Sequence, residues 1–168
     1  FHMWAPDVYE GAPTSITAFF AIVPKLAATA LIFRFCLEPF GSFYFEWTQV
    51  IFFLSVASMF LGAIAAIAQK SLKRLLAYSS IGHIGYVLIA LVAASDQGIK
   101  SASIYMFIYL VMNISVFAIL LSLKKSDIYV EKINELSGMS KSNPVVSASL
   151  AIIMLSMAGI PPFIGFFG

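Results

Sequence analysis

Residues 14–36 read TSITAFFAIVPKLAATALIFRFC, an apolar run with Pro24 and Lys25 at its midpoint. A bilayer core about 30 Å thick takes roughly 20 helical residues to cross, so this run is long enough to span it. Lys25 then lies far from both surfaces, where it cannot easily snorkel out. A lysine at that depth costs roughly 2.5–3.5 kcal/mol on insertion scales, and something must offset that cost. One reading is a structural ion pair or a water-lined polar pocket. The other is a proton carrier, because loss of water penalises the ammonium and brings gain and loss of a proton close in free energy. Pro24 deletes a backbone donor and leaves the Phe20 carbonyl without its usual partner, so a helix break is expected there. Ala18, Ala21, Ala28 and Thr29, one turn away, leave room for a partner helix or a file of waters.

The rest of the chain has the same character. Its 168 residues are 61% hydrophobic and 11% charged, with a mean hydropathy of +0.95. These values place it among membrane proteins and not soluble domains. The formal net charge of +2 gives no reason to expect nucleic acid, since the basic residues lie in loops between apolar runs and not along one face. The single cysteine, Cys36, excludes an intrachain disulfide and a multi-cysteine metal or iron–sulfur site. The chain starts without Met and stops in an apolar motif, which suggests a segment of a longer protein.

Five spans are expected, at about 14–37, 47–69, 75–94, 101–123 and 144–168, within one transmembrane fragment covering 1–168. The architecture is all-α, a polytopic membrane helix bundle whose last helix is broken. Residues 1–13, with Trp4, Tyr9 and three helix breakers, read as an interfacial connection, and His2, Asp7 and Glu10 as solvated loop residues. In the second span Ser55, Ser58, Gly62 and Ala66 form a stripe for close helix approach. The third carries Ser79, His83 and Tyr86 on one face, and His83 is a candidate proton relay or a packing hydrogen bonder. The fourth carries Ser101, Tyr105, Tyr109 and Asn113 at four-residue intervals, where Tyr109 and Asn113 line a water chain or serve as interhelical glue. A loop at 124–143 contains a candidate amphipathic helix around 128–136. The fifth span begins at Pro144 and is interrupted at Pro161 and Pro162, with its freed backbone toward a cavity.

If the spans alternate, the loops at 1–13, 69–79 and 124–143 share one side and hold seven Lys/Arg, against one on the other side. The basic side is then cytoplasmic or matrix. Nucleotide-binding glycine loops, paired metal-ligand spacing and nucleophile elbows are missing from the sequence, which leaves redox or hydrolytic chemistry within the chain without residues.

Three blocks carry a resemblance: FHMWAPDVYEGAPTSITAFFAIVPKLA, QKSLKRLLAYSSIGHIGYVLIAL and SGMSKSNPVVSASLAIIMLSMAGIPPFIGFFG. In this order they resemble consecutive blocks of the antiporter-like membrane subunits of respiratory complex I. The PDVYEGAPT and PKLA wording is most similar to the subunit N branch, the counterpart of mitochondrial subunit 2. The resemblance implies a fourteen-helix subunit of two inverted five-helix repeats, of which this chain would supply the eighth to the early twelfth helix. It implies that Lys25 relays protons along a polar axis at the membrane midplane and that His83 belongs to the exit path. Where some relatives carry a histidine on the eleventh helix, this chain has Tyr109 and Asn113.

The implied setting is a bacterial plasma membrane or mitochondrial inner membrane, with other complex I membrane subunits and the lipid bilayer as partners. It is that of an enzyme complex, a proton-translocating NADH:quinone oxidoreductase, with no cofactor in this chain and NADH, flavin, iron–sulfur clusters and quinone in partner subunits. Two alternatives stand beside it. One is a subunit of a multi-subunit sodium/proton antiporter, and the other is a purely structural membrane subunit.

Overall fold

The computed structural model describes residues 3–125, 128–163 and 165. The described part is an α-helical bundle. Its elements are α1 (Ala5–Gly11), α2 (Thr14–Leu37), α3 (Tyr44–Ile67), α4 (Leu72–Val92), α5 (Asp96–Ser122), a ribbon of β1 (Lys124–Lys125) and β2 (Ile128–Tyr129), then α6 (Met139–Ser142) and α7 (Pro144–Met157). Among the described residues four helices are long and apolar enough to cross a membrane, and α7 is a shorter apolar one. The chain is an integral membrane protein. Its outer faces show the inverted exposure of a lipid-facing surface: Phe53, Phe60, Ile64 and Ile67 on α3 are all largely exposed.

Helices α3 and α4 are packed against each other at backbone distance. A Cβ on Gly62 would lie 2.6 Å from the Gly82 nitrogen, and one on Gly85 would lie 2.6 Å from Met59 Cγ. Ser55 Oγ donates to the Gly85 carbonyl at 2.6 Å. Small residues let two helices approach closely enough for such bonds in lipid. The expected stripe is therefore used in part: Ser55 and Gly62 face α4, whereas Ser58 turns to a cavity between α2 and α3.

Four expectations are corrected. The connection at 1–13 contains α1, with Ala5 and Tyr9 buried in the apolar core beside Leu76 and Ala77 of α4 and Ala21 of α2. Pro6 sits in the first turn of α1, where its missing N–H costs nothing, and the apolar side of the turn has two long helices to pack on. His2 lies outside the described residues. Second, α2 is helical without interruption through Pro24, so Pro24 removes one hydrogen bond but does not break the helix. Its ring borders a cavity.

Third, no amphipathic helix forms at 128–136. The β-branched and aromatic run at Ile128, Tyr129 and Val130 favours extended backbone, and β2 pairs antiparallel with β1. The chain then bonds to the start of α4, with the Leu72 nitrogen donating to the Glu131 carbonyl (2.9 Å) and the Ile133 nitrogen to the Lys70 carbonyl (3.0 Å). Only a 3-10 turn at Ile133–Leu136 remains.

Fourth, α7 stops at Met157, short of Pro161 and Pro162. Gly159 adopts φ +72°, and the Ile160 nitrogen reaches back to the Leu155 carbonyl at 3.2 Å, the glycine stop that closes many helices. The segment beyond folds back, and the Gly165 nitrogen donates to Ser156 Oγ at 3.1 Å. The last helix thus ends at the Gly159 turn, with the prolines downstream. Of the GIPPFIGFFG motif, residues 164 and 166–168 lie outside the described residues.

Candidate functional site

Two apolar clusters fill the bundle. One gathers Ala21, Leu76, Ala77 and Phe117, the other Phe33, Ile84, Leu88 and Met106. Helices α2, α4 and α5 contribute to both, α3 to the second alone, and between the clusters comes a polar layer. Lys25 is the twelfth residue of the 24 in α2, His83 the twelfth of 21 in α4, and Tyr109 the fourteenth of 27 in α5. At 1.5 Å per residue each is about 17–20 Å from the helix start, the depth of a bilayer midplane.

Lys25 occupies the centre of this layer. Its Nζ is enclosed and, among the described residues, accepts or donates no hydrogen bond. Nor does it pair with a carboxylate among them. Its neighbours are aromatic faces: Nζ lies 5.0 Å from the ring centroid of Tyr9 and 5.9 Å from that of Tyr109. A cation over such a face gains about 0.5–2 kcal/mol. Two faces therefore offset only part of the cost of a midplane lysine, and no fixed anion holds the proton in place. On a further side lies a cavity of about 720 Å³, lined by Trp4, Phe20, Pro24, Lys25, Ser58 and Ile84 among others.

From Lys25 the polar layer continues sideways. Tyr109, 2% exposed, stands between Lys25 and His83, with its ring 5.0 Å from the His83 ring. His83 Nδ1 and Tyr105 Oη lie 2.6 Å apart, a short hydrogen bond between α4 and α5. Tyr86 closes the row, its ring 6.4 Å from His83 and 6.3 Å from Tyr105. The order Lys25, Tyr109, His83, Tyr105, Tyr86 thus runs across three helices through groups that carry exchangeable protons.

The predicted residues are placed unequally. Lys25, His83 and Tyr109 come together. Asn113 is buried nearby, but its amide donates to the Tyr109 carbonyl of its own helix at 2.9 Å. Ser101, expected on the same ridge, is exposed. On α4 the buried serine is Ser80 and not Ser79, and its hydroxyl is turned to the Ala77 carbonyl at 2.6 Å. Pro161 and Pro162 lie beyond the end of α7 at Met157. The residue that sequence reasoning missed is Tyr9, read as part of an interfacial loop. Nothing in the local sequence pattern marked it: Thr17 Oγ1 donates to the Tyr9 carbonyl at 3.1 Å, a contact that ties α1 to α2.

A family model described as NADH:quinone oxidoreductase/Mrp antiporter, transmembrane, matches residues 1–168. The chain belongs to this antiporter family. Subunit N of NADH-quinone oxidoreductase from Pelagibacter ubique is 58% identical over 99% of this chain and 36% of its own length. Subunit N from Rhodospirillum rubrum is 51% identical over all of this chain and 34% of its own. Among solved structures, respiratory complex I from Thermus thermophilus with bound aureothin superposes with a TM-score of 0.80. The identity is 36%, over 99% of this chain and 36% of that one. An archaeal membrane-bound sulfane sulfur reductase gives a TM-score of 0.78 at 25% identity, over 98% of this chain and 34% of that one. The chain spans about a third of the length of the curated relatives it matches. Within the antiporter family, then, this third carries a midplane lysine, a histidine and three tyrosines in one contiguous polar layer.

Proposed function

We propose that the chain is one transmembrane fragment of a proton-translocating subunit N in a complex I-type NADH:quinone oxidoreductase, and that Lys25 is its proton carrier. The observation that carries this reading is the Lys25 ammonium, enclosed at mid-helix with aromatic rings and a cavity around it and no carboxylate among its described neighbours. A structural lysine in lipid is normally locked to an anion or to carbonyls. This one is held by weak, uncharged contacts, so neutralising it leaves no orphaned partner charge. His83, bonded to Tyr105 and separated from Lys25 by Tyr109, is the next station in the row, and Tyr109 and Asn113 flank the path between them.

On this reading the partners are the other membrane subunits of the complex and the lipid around them, while NADH, flavin, iron–sulfur clusters and quinone belong to partner subunits. Quinone reduction there shifts the charge state along the midplane layer, and Lys25 exchanges a proton in response. Lys25→Ala in the assembled complex, reconstituted in vesicles, is expected to lower the protons moved per electron. Unchanged pumping and turnover would remove Lys25 from the mechanism. The family description also names Mrp antiporters, and transport by the wild-type complex that requires sodium would favour that branch.

A further inference from the structure

The short helix α1 brings one aromatic ring onto Lys25 and ties it to a cluster of charges at one end of the bundle. We infer that Tyr9 is a positioning residue that gates Lys25, a ring laid over the ammonium that closes it off from that charged end. This rests on the reading of Lys25 as a proton carrier, and deepens it by assigning a control point.

Three features carry the assignment. Tyr9 is 1% exposed, its hydroxyl is enclosed near Ser80, and Lys25 Nζ beneath its ring is enclosed without a hydrogen-bond partner among the described residues. The ring is held by where its backbone is placed. That backbone sits level with Thr17, two turns of α2 from Lys25, through the Thr17 Oγ1 bond to the Tyr9 carbonyl. The ring thus occupies the space between the ammonium and the start of α2.

The third feature is the anchorage of α1. Arg74 pairs with Asp7 at 3.2 Å and with Glu10 at 3.0 Å. Lys73 Nζ, which also pairs with Glu131, donates to the Ala12 carbonyl at 3.1 Å. Two successive cations of α4 therefore grip both ends of the turn that carries Tyr9. A shift in that charge cluster moves α1, and with it the ring over Lys25. The arrangement gives the charged end of the bundle a mechanical link to the midplane that the row from Tyr109 to Tyr86 lacks.

The test is side-specific thiol labelling in the full-length subunit within the assembled complex. Lys25→Cys is introduced in a background cleared of other reactive thiols, Cys36 included, and a permanently cationic methanethiosulfonate is applied to each face of oriented vesicles. With Tyr9 present, and equally with Tyr9→Phe, labelling is expected to be slow from both faces. With Tyr9→Ala it is expected to rise at least about tenfold from one face only, since labelling follows the population of the open arrangement. Equal rates with Tyr9 and with alanine there, fast or slow, would overturn the gate. Should Tyr9→Ala fail to assemble, Arg74→Gln removes the two ion pairs that hold α1 while keeping the ring. A rise of several-fold supports the link, and no change overturns it.

The labelled protein contains no lysine at the site and transports nothing, so the result is independent of proton pumping. Normal pumping by Lys25→Ala would end the proposed function and leave the labelling result standing. Unchanged labelling would end the gate and leave the carrier reading intact.

Discussion

His83 Nδ1 and Tyr105 Oη are 2.6 Å apart, the shortest polar link between α4 and α5 among the described residues of the midplane layer. In lipid such a bond has no water to compete with it, yet measured interhelical bonds average only about 0.6 kcal/mol and reach about 1.7. Burial of His83 at 8% exposure puts this one toward the upper end, because the ring nitrogen has no solvent to turn to. Tyr105→Phe is expected to cost about 1 kcal/mol in thermal unfolding of the purified complex. A double-mutant cycle with His83→Gln should return a coupling of about 0.5–1.5 kcal/mol. A coupling near zero would mean that the two side chains are adjacent but energetically independent.

The α3 and α4 contact makes an asymmetric prediction about two glycines that face each other. A Cβ at Gly62 would meet the backbone of Gly82 and Tyr78 at 2.6–2.9 Å, whereas a Cβ at Gly82 meets nothing within 4 Å. Backbone cannot move aside as a side chain can, so Gly62→Ala is expected to push the helices apart at a cost of about 1–3 kcal/mol. Gly82→Ala removes a helical glycine without a clash and should be neutral or stabilising by up to about 1 kcal/mol. Folded yield and melting temperature of the two variants, compared side by side, check the difference.

Much of this architecture was legible in the sequence because the apolar runs are long and the polar interruptions are few. Lys25, His83 and Tyr109 each announced themselves as ionisable or hydroxyl groups at the centre of a 20-residue apolar stretch. What single-helix patterns could not supply was the pairing between helices. The choice of Ser80 over Ser79, and the loss of Ser101 to the surface, follow from how α4 and α5 are rotated against their neighbours. Tyr9 was hidden for a related reason. Seven helical residues between breakers read as a connection, and only the cleft between α2 and α4 makes them a helix. The stop of α7 at Gly159 was masked by the louder signal of Pro161 and Pro162.

That stop gives a third prediction. Gly159 sits at φ +72°, a region where a Cβ costs about 1 kcal/mol or more. It has open space around it, so the whole penalty of Gly159→Ala is conformational. The variant is expected to lose about 1 kcal/mol of stability, while Gly159→Asn, a residue that tolerates the left-handed region, loses less. If both variants melt alike, the backbone there is not held in the left-handed form in the assembled protein.

The last prediction concerns Lys73 and Glu131. The lysine side chain is 4% exposed and the carboxylate 50%, so the two partners stand in different surroundings. Removing the carboxylate by Glu131→Gln leaves a buried ammonium with the Ala12 carbonyl and a neutral amide. Removing the lysine by Lys73→Met leaves a half-exposed carboxylate that water can solvate. Loss of one partner from a fully buried pair costs about 3–5 kcal/mol, and the solvent at Glu131 reduces that here to about 1–2 kcal/mol. Glu131→Gln is therefore expected to be the more damaging single change, with Lys73→Met milder because methionine fills the same apolar slot. The order of the two in thermal unfolding checks the point. A larger loss from Lys73→Met would show that the bond to Ala12, and the hold on α1 that it provides, matters more than the charge pair.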